Sequence, residues 1–127
     1  MRYSEDEVRL YALARERSLI DDVKGVAEAL RQLVQLRPDS ALFNASLANA
    51  LNSLGQVDVA EHLFKKAVSL APRSEKISLG LFHCLWAGAK QEEALEEMKR
   101  FLSLVDSEEY QMLLASITQS LNERDQR

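Results

Sequence analysis

The chain of 127 residues is about one domain long, and its 46% hydrophobic and 28% charged residues supply enough apolar material for a continuous core. Four glycines and two prolines are too few for a many-turned sandwich or barrel and suit long helices joined by short turns. The formal charge of −4 disfavours nucleic acid and anionic membranes, no stretch approaches the roughly 18 apolar residues that cross a bilayer, and the lone Cys84 rules out an internal disulfide.

The start, Met-Arg-Tyr-Ser-Glu-Asp-Glu, lacks the apolar run of a signal peptide, so a cytoplasmic location is expected. Ser4 with Glu7 reads as a capping box opening a first helix, which breaks near Ser18 to Asp22 without a glycine. A second helix runs to the stop at 36–40, Leu-Arg-Pro-Asp-Ser. Ser40 caps a third helix to about Leu54, Gly55 supplies the permissive backbone of the turn, and Val57 to Ala71 returns before Pro72. Two more helices follow, from Ser74 to Ala87 and from about Gln91 to Leu104. Asp106 with Glu109 reads as a second capping box, opening a last helix over about 107–123. That helix carries Tyr110, Leu113, Leu114, Ile117 and Leu121 on one side and Glu109, Gln111, Ser116, Gln119 and Asn122 on the other, as a terminal cap requires.

The helices repeat. Leu13, Leu47 and Leu81 stand 34 residues apart, as do Leu36, Leu70 and Leu104; Val34, Val68 and Leu102; and Leu30, Phe64 and Met98. The stop at 36–40 returns as Leu-Ala-Pro-Arg-Ser at 70–74, and Val-Asp-Ser at 105–107 takes the third place. Leu47, Phe64, Leu70, Leu81, Leu85, Met98 and Phe101 are expected in the core.

The second unit resembles a tetratricopeptide repeat (TPR). Leu47-Ala48, Gly55, Ala60-x-x-x-Phe64, Ala67 and Pro72 match the family's pattern, in which small residues allow close helix approach and Leu and Phe fill the space between helices. The third unit keeps Leu81 and Ala94, but Phe82 replaces the small residue and Gly88 comes one residue early. The first unit keeps Leu13, Ala14 and Pro38, with Val26 where alanine is usual. Repeats over about 7–38, 41–72 and 75–106 plus the cap make 1–127 a single domain. The expected fold is all-α: a right-handed superhelical solenoid of three antiparallel helix pairs and a capping helix, seven helices in all.

The resemblance implies a concave groove lined by the first helix of each pair, which receives a peptide or a partner helix. Carried onto this chain, the groove row is Tyr11, Arg15 and Leu19, then Leu42, Ala45, Asn49 and Asn52, then Lys76, Leu79, His83 and Trp86. Trp86, the only tryptophan, is an anchor candidate or else a core residue under the closing helix near Tyr110. Asn44, Asn49 and Asn52 form a set able to hydrogen-bond a peptide backbone. Some relatives hold a peptide's terminal carboxylate with lysine, asparagine and arginine, but Tyr11, Ser46 and Gly80 occupy places where such a clamp needs them. A heat-shock co-chaperone clamp is therefore not expected.

His83 and Cys84 are neighbours about 100° apart on a helix, and His62 lies in another repeat, so neither a metal site nor a catalytic pair is expected. No cofactor motif is present, and the chain reads as a non-enzyme. In the charged run from Lys90 to Arg100, Glu96 and Glu97 stand four and three residues before Arg100, the spacing of pairs on a packed helix. Beginning with methionine and holding little besides repeats and a cap, the chain reads as a stand-alone adaptor or chaperone for a protein or peptide. The rival readings are an immunity protein masking a toxin and a repeat protein that self-assembles; the oligomeric state stays open.

Overall fold

The structure is a computed structural model that describes residues 2–126; Met1 and Arg127, the ends of the expected domain, lie outside the described residues. Among these residues there are seven helices and no strand: α1 (Glu5–Leu19), α2 (Val23–Leu36), α3 (Ala41–Ser53), α4 (Val57–Leu70), α5 (Glu75–Ala87), α6 (Gln91–Leu102) and α7 (Glu108–Asp125). Each packs on the next from α1 to α6, and α3 also meets α5, so the first helices form one layer and the second helices another.

The helix starts follow from side-chain capping. Ser4 accepts from the Glu7 amide while Glu7 accepts from the Ser4 amide, the expected capping box. Ser40 and Ser74 cap α3 and α5 in the same way, each accepting from the amide three residues on. The cap of α7 is Ser107 rather than Asp106: its hydroxyl accepts from the Tyr110 amide, one residue later than the capping-box pattern suggested.

Three turns join the two helices of each pair, and each contains one residue with left-handed backbone: Asp21 (φ 56°), Gly55 (φ 83°) and Ala89 (φ 62°). They stand one repeat apart, and the next residue's amide donates to a carbonyl five residues back in all three: Asp22 to Arg17, Gln56 to Leu51 and Lys90 to Leu85, each 2.9 Å. Gly88 is not the permissive residue, having φ −82°; the turn keeps its register and places Ala89 in the conformation that glycine adopts more freely.

Leu47, Phe64, Leu81, Leu85, Met98 and Phe101 are buried as expected. Leu70 is not: it is 39% exposed, and its column mates Leu36 and Leu104 are exposed at 54% and 42%. Leu36 and Leu70 are the last residues of α2 and α4, and Leu104 lies in the turn just past α6, where the chain heads toward the next unit. Along α7 only Tyr110 is fully buried; Leu113 and Ile117 are half-buried against the core, whereas Leu114 and Leu121 are exposed. The five-residue apolar side expected there is thus narrower, because Leu114 points away from the body and contact fades after Ile117. No helix of the described residues is long and apolar enough to cross a membrane.

Candidate functional site

The surface of the first-helix layer is built by residues that recur at the same helical position. Tyr11, Ala45 and Leu79 stand one repeat apart and fall in the creases between neighbouring first helices, where Tyr11 is half-buried and the other two are buried. Leu79 and Ala45 therefore leave the groove row as exposed contacts; they are packing residues of the inner layer. One turn on, Arg15, Asn49 and His83 are all exposed, and so are Leu42, Asn52 and Lys76. Leu19 is exposed at the far end of α1.

Asn44 also leaves its set. It is wholly buried, and its side-chain amide donates to the carbonyls of Pro38 (3.0 Å) and Ser40 (2.8 Å), tying the start of α3 to the preceding loop. Asn49 and Asn52 remain at the surface. His83 is exposed and Cys84 buried, so the neighbours point apart as helix geometry requires.

Trp86 is partly packed into the core near Tyr110 and partly open. Its ring stacks on Phe82 at 5.6 Å, Phe82 meets Tyr110 edge-on at 5.7 Å, and Trp86 is half-buried. Its open side, with His83, faces a wedge of about 580 Å³ between α5, the start of α6 and the second half of α7, floored by Phe82, Leu95, Leu113 and Ile117.

At the other end of the layer, Tyr11, Arg15 and Leu42 line a pocket of about 320 Å³ between α1 and α3 together with Tyr3, Val8 and Phe43. Tyr3 and Tyr11 lie 5.9 and 6.1 Å from the Phe43 ring. Its only carboxylate is engaged elsewhere: Glu7 receives Arg37 Nε (2.5 Å) and Nη2 (3.0 Å), and these bonds from the guanidinium hold its pKa down at about 2. The same guanidinium lies 4.6 Å from the centre of the Tyr3 ring and donates to the Arg2 carbonyl. The sequence reading missed Tyr3 and Arg37 because both lie outside the helical rows.

A second ion pair anchors α7. Arg100 donates through Nε and Nη2 to Glu97 (2.7 and 2.6 Å) and through Nη1 to the Pro72 carbonyl, while Glu97 also accepts from the Ser78 hydroxyl at 2.6 Å. Since the single Ser78 proton goes to Glu97, the Tyr110 hydroxyl is the donor in its 2.7 Å contact with Ser78. Burial pushes the Tyr110 phenol up to about 12. Outside, Glu61 takes Lys90 (2.9 Å) and Lys65 (3.0 Å), linking α4 to α6 and lowering its own pKa through those bonds. Glu61 and Glu97 of the second-helix layer are thus tied to neighbouring cations.

The comparisons agree with this architecture. The first TPR of Spaghetti (RPAP3), solved with the HSP90 peptide SRMEEVD, superposes with a TM-score of 0.79 at 21% identity, covering 94% of this chain and 96% of that one. The Yersinia enterocolitica type III secretion chaperone SycD, in complex with a peptide of the translocator YopD, gives 0.76 at 17% identity over 95% and 93%. The TPR2B domain of yeast Sti1 with an Hsp70 peptide gives 0.73 at 18% identity, covering 79% of this chain and 80% of that one. No curated protein matches the chain by sequence. The sequence profile described as tetratricopeptide repeat matches residues 52–117, more than half of the chain. The repeated turn geometry, the seven-helix right-handed solenoid and that match make this chain a member of the tetratricopeptide-repeat family.

Proposed function

We propose that the chain is a non-enzymatic adaptor or chaperone whose first-helix layer holds an extended, acidic segment of a partner protein. The observation that carries this reading is the charge of the exposed row. On a chain of net charge −4, the polar members of the row are Arg15, Asn49, Asn52, Lys76 and His83, none of them acidic. Two cations set against carboxylates give orientation and on-rate, and asparagine amides both donate to and accept from a peptide backbone. Tyr11 and Leu42 add apolar contact at one end and Trp86 at the other.

The SycD and RPAP3 complexes supply precedents for peptide capture by chains of this length and fold. The means of capture differs from a terminal-carboxylate clamp, since Gly80 has no side chain to offer and faces Phe64.

Selection from a displayed random-peptide library against the whole chain tests the reading, followed by fluorescence anisotropy on an enriched peptide. Enriched sequences should be acidic, and Arg15→Glu with Lys76→Glu should weaken binding about 100-fold while the circular-dichroism melt stays in place. Enrichment without acidic residues, or affinity unchanged by the double charge reversal, would overturn it.

A further inference from the structure

The pocket between α1 and α3 has a wall that the repeat itself does not provide. Val8, Tyr11 and Leu42 come from helical positions, but Tyr3 precedes α1 and reaches the pocket by packing its ring near Phe43 at the start of α3. Arg37, in the loop before α3, holds that arm by two contacts already described, a bond to the Arg2 carbonyl and the guanidinium over the Tyr3 ring, while two bonds to Glu7 fix the guanidinium itself. Paired with Glu7 in this way, Arg37 backs the Tyr3 wall from behind without lining the pocket itself.

The neighbouring crease does not repeat the residues that build this pocket. One repeat on from Tyr11, Leu42 and Phe43 stand Ala45, Lys76 and Ile77, and the residue one repeat after Tyr3 is Arg37 itself. A half-open, nearly all-carbon cavity therefore forms at the α1 end of the layer from an aromatic trio that does not recur along it. Its volume of about 320 Å³ accepts a large aliphatic or aromatic side chain. The charge at its mouth is one-sided as well: Glu7 is consumed by Arg37, whereas Arg15 is exposed and carries no salt bridge among the described residues. Leu42, on the pocket wall, also begins the α3 row that continues through Asn49, so the cup opens onto the proposed groove.

We infer that this cup is the anchor subsite for the partner segment: it takes one large apolar side chain, and the acidic residue next to it in the segment sits at Arg15. The inference rests on the proposed peptide-binding function and adds the position and chemistry of the anchor. Enclosure on several sides by Tyr3, Tyr11, Phe43 and Leu42 removes that side chain from water, which is how a single buried residue comes to dominate an interface, and the paired charge fixes the direction in which the segment lies.

The test uses the peptide enriched against the whole chain, labelled with fluorescein. It should contain a large apolar residue beside an acidic one, and replacing the apolar residue with serine should weaken binding about tenfold. Tyr3→Ala and Leu42→Ser, both at exposed positions and on independent walls, should each weaken the parent peptide about tenfold, and against either variant the serine peptide should lose little more. An apolar preference that stays undiminished in both variants, or enriched acidic peptides with no apolar preference, would overturn the anchor while leaving the groove reading intact. Failure to enrich any acidic peptide overturns both.

Discussion

Gly80 of α5 packs against Phe64 of α4 so closely that a Cβ on the glycine would lie 2.6 Å from the ring's Cε1 atom. A glycine inside a helix costs about 1 kcal/mol relative to alanine, so helix propensity alone favours replacement. Phe64 is 2% exposed and has little room to withdraw. Gly80→Ala should therefore destabilise the chain by about 1–3 kcal/mol in denaturant unfolding, the cost of overpacking outweighing the gain in propensity. A stabilised variant would show that the ring moves aside freely.

The inter-helix turns disfavour alanine too, for a different reason. Left-handed backbone costs a residue with a Cβ about 1–2 kcal/mol, while glycine gives back part of that gain through the freedom of its unfolded chain. Ala89→Gly should raise stability by about 0.5–1 kcal/mol and Gly55→Ala should lower it by a similar amount. Thermal melts of the two variants check the pair, and a shift of the same sign in both would refute the shared geometry.

The repeat made the fold legible because a small set of residue types returns at one interval and at helical spacing, as in Leu47 and Leu81 or Phe64 and Met98. Periodicity marks equivalent positions, however, and equivalence is not burial. Leu36, Leu70 and Leu104 keep the period as faithfully as any column and are all exposed, since the first two end their helices and the third lies in the turn just past α6. Helical spacing put Arg15, Asn49 and His83 at positions that are exposed, whereas the burial of Leu79 depends on how far apart α3 and α5 stand. The arm of the α1–α3 pocket was illegible, because the Arg37–Glu7 contact joins residues 30 positions apart that belong to no shared pattern.

Glu7 gives the pocket wall an acid limit. Its carboxyl is held at about 2 by the Arg37 hydrogen bonds, against an ordinary value of 4.5, so its stabilising contribution is complete above 4.5 and disappears as pH falls toward 2. Glu61 is depressed as well, by Lys90, so acid melts of the native chain alone do not separate the two. The difference in stability between the native chain and Glu7→Gln should be constant near neutrality and shrink between pH 4.5 and 2. A difference that holds constant down to pH 2 would show that the pair adds nothing.

At the other end, Tyr110 sets an alkaline limit. A phenol raised from 10.0 to about 12 by burial stabilises the fold as long as it is neutral, and that contribution falls away as pH rises from 10 to 12. Lys65 and Lys90, raised by their bonds to Glu61, lose stabilisation in the same direction. Comparison with Tyr110→Phe isolates the phenol: the variant should lose about 1 kcal/mol at neutral pH, for the bond to Ser78, and should decline less steeply above pH 10. Parallel alkaline curves would mean that the phenol ionises as freely in the fold as out of it.

The seventh helix divides into a part that closes the core and a part that stands clear of it, and truncation should separate them. Tyr110 lies 5.7 Å from both Phe82 and Phe101 and donates to Ser78, which in turn holds the Glu97–Arg100 pair. Removing residues 107–127 leaves Phe101 and Phe82 facing water and strips the network of its last donor. The loss should be about 3–5 kcal/mol, the scale of deleting a large buried aromatic, with aggregation from the exposed face. Removing only residues 118–127 takes away no buried side chain among the described residues, Leu121 being 55% exposed, and should cost less than about 1 kcal/mol. Denaturant unfolding of the two truncated chains decides the matter. Equal losses would mean that the outer half of α7 holds the solenoid closed, and no loss in either would make α7 an appendage rather than a cap.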